Sequence, residues 1–382
     1  MRIGIEAQRI FRLKKHGMDM VALELIRELQ KLDKVNEYFI YVRPDEDSTC
    51  IQETDNFKIR LINGNYALWE QIYLPQAIKN DNCQLLHCTS NTAPIFVSTP
   101  LIVTLHDIIY MEKSIKNTLF GKGTNYQKFG NLYRRLVVPK IVKKSSRIIT
   151  VSEFEKRRIA KLFNLSDAKI KAIYNGVSVY FKKNNDQVEL ERVKTKYNLP
   201  DKYFFFLGNT DPKKNTKGLL QALAIYYRKS GDATPLVILD LNRDFVLRTL
   251  QEINEEHLID KLFLTGYIPN TDLPSIYTLS CLFLYPSLRE SFGIPMLEAM
   301  ACGVPVITSN TSSMPEVAGD AALLTDPFKP EEIADAMIEL LNNISLQNSL
   351  IEKGYIQSAK FTWKAMATQM LSEYNNIINT NI

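Results

Sequence analysis

Short apolar runs alternate with segments of helical period along the whole chain, and no other feature restricts its fold so strongly. That alternation is the pattern of parallel sheets joined by crossover helices, so the expected class is α/β. In the first half the expected strands are Arg2 to Ala7, Tyr38 to Val42, Lys58 to Ile62, Gln84 to His87, Leu101 to Leu105, Arg147 to Val151 and Lys171 to Ile173. The first strand leads through a loop holding His16 and Gly17 to Val21, Ala22, Leu25, Ile26, Leu29 and Leu32, which keep helical spacing. Ser152 with Glu155 three residues on reads as a capping box. Residues 175–199 turn polar, with Asn175-Gly176 and the run 184–186, and a second series of strands follows: Tyr203 to Leu207, Leu236 to Leu239, Leu262 to Thr265, Cys281 to Tyr285, Val304 to Thr308 and Ala322 to Leu324.

A chain of 382 residues exceeds what one hydrophobic core usually supports. The expected domains are 1–175, a linker 176–200, a second domain 201–355, and a terminal helix 356–382 able to pack back on the first domain. Hydrophobic residues at 45% and charged residues at 23% exclude a disordered or low-complexity chain. No run of about 18 apolar residues occurs, and MRIGIEAQRI opens on strand-like sequence, so neither a signal peptide nor a membrane span is expected. Five cysteines without metal-site spacing suit a reducing cytosol. The net charge of +5 hides an asymmetry. Residues 1–175 hold 28 Lys and Arg against 18 Asp and Glu, with 13 basic residues and two acids between Lys116 and Lys161.

The chemistry concentrates in ESFGIPMLEAMACGVPVITS, Glu290 to Ser309. It reads as loop, helix and strand, with Pro295 in the first helical turn and Gly303 just past the helix end. Ligands of open α/β sheets bind beyond the carboxyl ends of strands, where the loop Ser287 to Pro295 lies. Glu290 and Glu298 can accept hydrogen bonds from vicinal hydroxyls of a sugar or ribose, while the helix start favours phosphate oxygens. For an isolated pair of acids, a cap and a solvated helix residue would be the simpler explanation.

The surrounding pattern E-x-FG-x-P-x-x-E-A-M-A-x-G-x-P-V resembles the family 4 retaining glycosyltransferases, also described as glycosyl transferases group 1. TLHDIIY at 104–110, ITVSEFEK at 149–156, IYNGV at 173–177, LGNTDPKKN at 207–215, LTGYIP at 264–269 and SSMPEVAGDAALLTDP at 312–327 extend the resemblance over most of the chain. The opening residues resemble the mannosyltransferase-like branch. The resemblance implies a GT-B fold, two Rossmann-like doubly wound domains facing across a cleft, with acceptor on the first and nucleotide-sugar donor on the second.

By the same resemblance, Glu290 lies beside the transferred sugar and Glu298 binds ribose. The backbone of Ser291, Phe292, Gly293 and Ile294 lies against sugar and phosphate, and Lys213 and Lys214 contact the diphosphate. Lys213 stands where the family commonly has Arg, and Lys lacks the bidentate fork. On the residues alone, a charged turn before a helix explains both lysines equally well. His106 matches a histidine supporting the oxocarbenium-like transition state, although a lone histidine is often structural. Gly17 matches a glycine approaching the diphosphate, where the family often has a glycine pair and this chain has His16-Gly17.

The expected function is a hexosyltransferase of the EC 2.4 class. It would carry a hexose from a GDP- or UDP-hexose to a glycan or lipid-diphosphate-linked acceptor in cell-surface polysaccharide biosynthesis. A retaining outcome ordinarily calls for a nucleophilic carboxylate, for which Glu290 could be proposed, but the resemblance implies front-face departure and attack, with the leaving phosphate taking the acceptor proton. No cofactor or metal is expected: Asp45-Glu46-Asp47 reads as a solvated acidic loop, and lysines and helix dipoles can replace a cation. Alternatives are a GT-B epimerase or phosphorylase, or a catalytically silent nucleotide-sugar-binding partner. The basic stretch holding Arg134, Arg135, Lys140, Lys143, Lys144, Arg147, Arg157 and Arg158, with Tyr126, Phe129, Tyr133 and Phe154, suits either the inner face of an anionic cell membrane or water. Nucleic acid is not an expected partner, since no reader module accompanies the charge.

Overall fold

The computed structural model describes residues 1–112 and 125–380 and divides into two compact units, Met1–Asn175 with Trp363–Ile382, and Gly176–Thr362. The first contains β1 (Arg2–Glu6), β2 (Glu37–Val42), β3 (Phe57–Leu61), β4 (Leu85–Cys88), β5 (Leu101–Thr104), β6 (Arg147–Thr150) and β7 (Ile170–Ala172). They form one parallel sheet in the order β3-β2-β1-β4-β5-β6-β7. The second contains β8 (Phe204–Leu207), β9 (Leu236–Leu239), β10 (Leu262–Gly266), β11 (Leu282–Tyr285), β12 (Val306–Ser309) and β13 (Leu323–Thr325), all parallel, ordered β10-β9-β8-β11-β12-β13. Each expected strand is present, with ends shifted by one or two residues. Strands such as LLHC, LVIL and LFLY are buried along their whole length, as strands covered on both faces must be.

In both sheets the strand order reverses once, between β1 and β4 and between β8 and β11. The chains leaving those strands diverge to opposite faces, which opens a crevice at the carboxyl edge of each sheet.

The stretch 176–200 is not a free connection. It belongs to the second unit and contains the helix Gln187–Tyr197, capped by Asp186. Arg192, Lys196 and Tyr197 of that helix converge on the carboxylate of Asp272 at 2.7, 2.7 and 2.6 Å. Only Leu190 and Val193 of the helix are buried, so hydropathy does not reveal it. The chain end also differs from expectation. Residues 356–359 finish the helix Ile344–Ala359, and the helix that counts with the first unit starts at Trp363. There Glu373 is buried between Arg147 (2.8 Å) and Lys171 (2.9 Å), and the Tyr374 hydroxyl meets His87 Nδ1 at 2.7 Å.

Burial alone would raise the Asp272 carboxyl, but bonds from Lys196, Tyr197 and Arg192 bring it down to about 2. A depressed carboxylate stabilises the fold above its unfolded value and loses that contribution as pH falls through the folded value. Asp272→Asn should therefore cost about 2 kcal/mol at neutral pH. In urea titrations over a pH series, the gap from the parent protein should narrow from pH 3.8 down to about 2. A gap independent of pH would contradict this account.

Candidate functional site

In the second unit, the loops leaving β8 and β11 meet at the crevice between these paired strands. Gly208 opens the first loop, where a Cβ would stand 2.3 Å from the Leu239 carbonyl oxygen, so only glycine lets the chain pass this close to β9. Asp211 caps the turn Pro212–Lys214 by accepting from the Lys213 amide at 3.1 Å. Asn215, with a left-handed backbone, donates through Nδ2 to the carbonyls of Pro286 (3.0 Å) and Pro327 (2.7 Å). The Leu288 amide donates to the Lys213 carbonyl at 2.7 Å. Two loops far apart in sequence are thus held as one surface.

On that surface the Lys214 ammonium donates to Glu290 Oε1 at 2.6 Å, with both side chains largely buried. It also lies 3.3 Å from the Tyr285 hydroxyl and 5.2 Å from that ring's centroid. The Glu290 loop is braced by hydroxyls. Ser312 Oγ accepts from the Glu290 amide at 3.0 Å, Ser313 Oγ lies 3.0 Å from the carbonyl oxygens of Glu290 and Phe292, and Ser309 Oγ donates to the Ser287 carbonyl at 2.6 Å. Phe292 turns its buried ring toward Phe361, with centroids 5.6 Å apart. Gly293, at φ +107°, then starts the helix Ile294–Ala301 with Pro295 in its first turn. Glu298 on this helix is partly buried and accepts from the Tyr277 hydroxyl at 3.1 Å.

The two glutamates differ electrostatically. Burial would raise Glu290, but the charge and hydrogen bond of Lys214, with Lys213 adding to them, hold it below its ordinary value. Among the described residues no cation lowers Glu298, and burial raises it to about 7 against the hydrogen bond from Tyr277. Burial, then Glu290 and Glu298, push the Tyr285 phenol well up, so one ring senses both carboxylates. Lys213, Lys214 and Glu290 therefore stand together, and Ser291 to Ile294 lead from Glu290 to the helix of Glu298, which acts on the same Tyr285 ring. Tyr277, Tyr285, Asn215 and the serines beneath the loop escape sequence reading. The text SSMPEV marks Ser312 and Ser313 but not their hydrogen bonds.

Gly17 and His106 belong to the first unit. Gly17 is exposed at the start of the helix Gly17–Leu32, and a Cβ there would meet nothing within 4 Å. Asp19, paired with Arg9 at 3.1 Å, fixes that start by accepting from the His16 amide at 3.0 Å. His106 follows β5. Its amide donates to Asn91 Oδ1 at 2.6 Å, and its Nε2 lies 2.9 Å from the Thr89 carbonyl. A carbonyl only accepts, so Nε2 carries the proton and Nδ1 is left as an acceptor. Burial lowers the imidazole below its usual value and keeps it neutral. Glu6, buried at the end of β1, accepts from the amides of Gln8 (2.9 Å) and Thr89 (3.2 Å) and supports this wall.

Among the described residues no group of three or more His, Cys, Asp or Glu is placed to hold a metal ion. In the acidic run, Asp47 pairs with Lys15 and Asp45 accepts from the Glu46 amide.

Residues 16–180 match glycosyltransferase family 4, and residues 187–357 match glycosyl transferases group 1. O-antigen chain mannosyltransferase B of Escherichia coli is 34% identical over 59% of this chain and 60% of its own length. O-antigen chain mannosyltransferase RfbU of Salmonella typhimurium is 28% identical over 69% of this chain and 65% of its own. Each match thus spans less than two thirds of the relative. Among solved structures, Anabaena Alr3699/HepE in complex with UDP-glucose superposes with a TM-score of 0.75 at 16% identity, over 98% of this chain and 100% of that one. WaaG, a glycosyltransferase involved in lipopolysaccharide biosynthesis, superposes with a TM-score of 0.70 at 12% identity, over 96% and 98%. Two parallel α/β units with these neighbours make the fold GT-B.

A carboxyl raised on folding loses stability as pH climbs through its folded value. Glu298→Gln should match the parent below pH 4.5 and exceed it above about pH 7. The gain should be on the order of 2 kcal/mol, allowing for partial exposure. Denaturant midpoints that move in parallel at all pH values would show that Glu298 is not held this way.

Proposed function

Because this chain belongs to the family 4, group 1 glycosyltransferases, we propose that it transfers a hexosyl group from a nucleotide diphosphate sugar to a saccharide acceptor in cell-surface polysaccharide synthesis. The relatives' names favour mannose as the sugar and an O-antigen-type chain as the product. The Lys214–Glu290 pair on the loops of β8 and β11 carries the proposal. Transfer leaves a dianionic phosphate, and charge developing on the leaving oxygen needs fixed donors in a partly dry site. The ammonium has three N–H groups. Glu290 takes one and Tyr285 lies near a second, so a third can meet the diphosphate without a new rotamer.

In this reading half-buried Lys213 adds its charge beside Lys214. The helix start at Gly293 and Ile294, with Ser291 and Phe292 before it, receives phosphate and sugar. Glu298 accepts the ribose hydroxyls, and its affinity rises as it ionises near neutral pH. Glu290, already bonded to Lys214 and lowered in basicity, makes a poor covalent nucleophile. Retention then follows from front-face attack, with the leaving phosphate taking the acceptor proton. On the first unit, which takes the acceptor, neutral His106 with Nδ1 as acceptor supports the oxocarbenium-like sugar, and Gly17 leaves room for phosphate. The proposal includes no metal and no cofactor. It places the protein on the cytoplasmic side of a membrane that holds a lipid-linked acceptor, fed by a GDP- or UDP-hexose.

Lys214→Ala should lower kcat by roughly 10²- to 10³-fold, about 3 to 4 kcal/mol, by removing leaving-group stabilisation. Nucleoside diphosphate release should be followed with whichever nucleotide sugar raises the melting temperature of the parent. An unchanged kcat would reject the assignment.

A further inference from the structure

Exposed apolar side chains collect on one face of the first unit. On the helix Asn125–Lys144, Phe129, Leu132 and Leu136 are 57%, 38% and 60% exposed and follow at spacings of three and four, so they form one stripe. Two neighbouring segments extend it. The Ile95 amide donates to Gln71 Oε1 at 2.9 Å, its carbonyl accepts from Lys144 Nζ at 2.8 Å, and Gln71 Nε2 reaches the Tyr133 hydroxyl at 2.7 Å. These bonds bind the loop of Phe96 (83% exposed) and the turn of Ile72 (44% exposed) to the same helix. Lone exposed apolar residues are ordinary, whereas a set stitched onto one face marks a contact surface.

The charges on this face have one sign. Residues 128–144 and 93–99 contain no acid, and the one carboxylate of 66–80, Glu70, is buried. Lys140, Lys143 and Lys144 are exposed at the end of the helix. The arginines that charge counting singles out contribute less. Arg134 lies 4.9 Å over the Tyr110 ring, Arg147 pairs with Glu373 and Arg158 with Glu112. Lys116 lies outside the described residues, as does the side chain of Tyr126.

We propose that the face carrying Ile72, Phe96, Phe129, Leu132 and Leu136 docks on an anionic lipid bilayer, its apolar side chains entering the headgroup boundary and its lysines pairing with lipid phosphates. On these three segments every exposed charge is a cation, and apolar residues set among cations match a surface that offers hydrocarbon beneath negative charge. No helix among the described residues is long and apolar enough to cross a membrane, so this contact is peripheral. The inference rests on the reading that the acceptor is lipid-linked, and the assay separates the two.

Full-length protein is floated with phosphatidylcholine vesicles with and without phosphatidylglycerol. Binding is expected only with the anionic lipid. Phe129→Ser, Leu132→Ser and Leu136→Ser together should weaken it tenfold or more at every salt concentration, on the order expected for three lost apolar insertions. Lys128→Gln, Lys140→Gln and Lys143→Gln should weaken it about fivefold per lysine at low salt and flatten its salt dependence. Five of the six residues are exposed and Lys128 is half-buried, so melting temperatures and turnover with a water-soluble acceptor should hold. Equal binding by parent and variants overturns the proposal. So does a parent dimer that the serine variant abolishes, since the face would then join two copies. No turnover by the parent on a soluble saccharide acceptor, with its vesicle binding intact, would instead count against the transferase reading.

Discussion

A parallel sheet cannot be built from hairpins, and the remainder of this structure follows from that constraint. Every strand must return through a crossover, so the loops leaving the carboxyl ends of the strands line one edge of each sheet. Where strand order reverses, the loops of neighbouring strands part and leave room for a ligand. Lys213 and Lys214 leave β8, Glu290 leaves β11, and these strands flank the reversal of the second sheet. The chemistry stands where topology leaves a gap, and buried apolar strands such as LFLY anchor it from below.

Within that gap one ion pair organises the charges. An unpaired Lys214 or Glu290, largely buried as each is, would cost several kcal/mol in desolvation. Paired, they retain opposite charges near Glu298, a carboxyl that burial raises to about 7. Two carboxyls on one crevice, shifted in opposite directions, can serve different purposes: one fixed as an anion against a lysine, the other able to gain or lose a proton near neutrality. The hydroxyls of Ser309, Ser312 and Ser313 hold the intervening loop, so little reorganisation remains when charge arrives.

The inner strands were legible because each is a short apolar run buried on both faces, whereas edge strands such as β3, FKIRL, carry that mark only weakly. The helix Gln187–Tyr197 was not legible. It buries two apolar residues and is secured by an ion cluster on Asp272, about eighty positions away, which periodicity cannot show. The same limit applies at the site. The family resemblance marked Lys214, Glu290 and Glu298 as a group, yet nothing local to KKN or to ESFG reveals that the first two touch, that Tyr285 lies beneath them or that Tyr277 reaches Glu298. On the first unit, charge counting took in arginines that fold back onto Tyr110, Glu112 and Glu373, and of the exposed stripe it named Phe129 but not Leu132 or Leu136.

The central claim is that the Lys214 ammonium, held by Glu290, receives the diphosphate of the donor. A crystal structure of the protein soaked with the nucleotide sugar that stabilises it most is the direct measurement. The account predicts a diphosphate oxygen within about 3 Å of Lys214 Nζ, with the ribose hydroxyls on Glu298. A nucleotide bound elsewhere, with the Lys214–Glu290 pair undisturbed and no phosphate in reach, would contradict it.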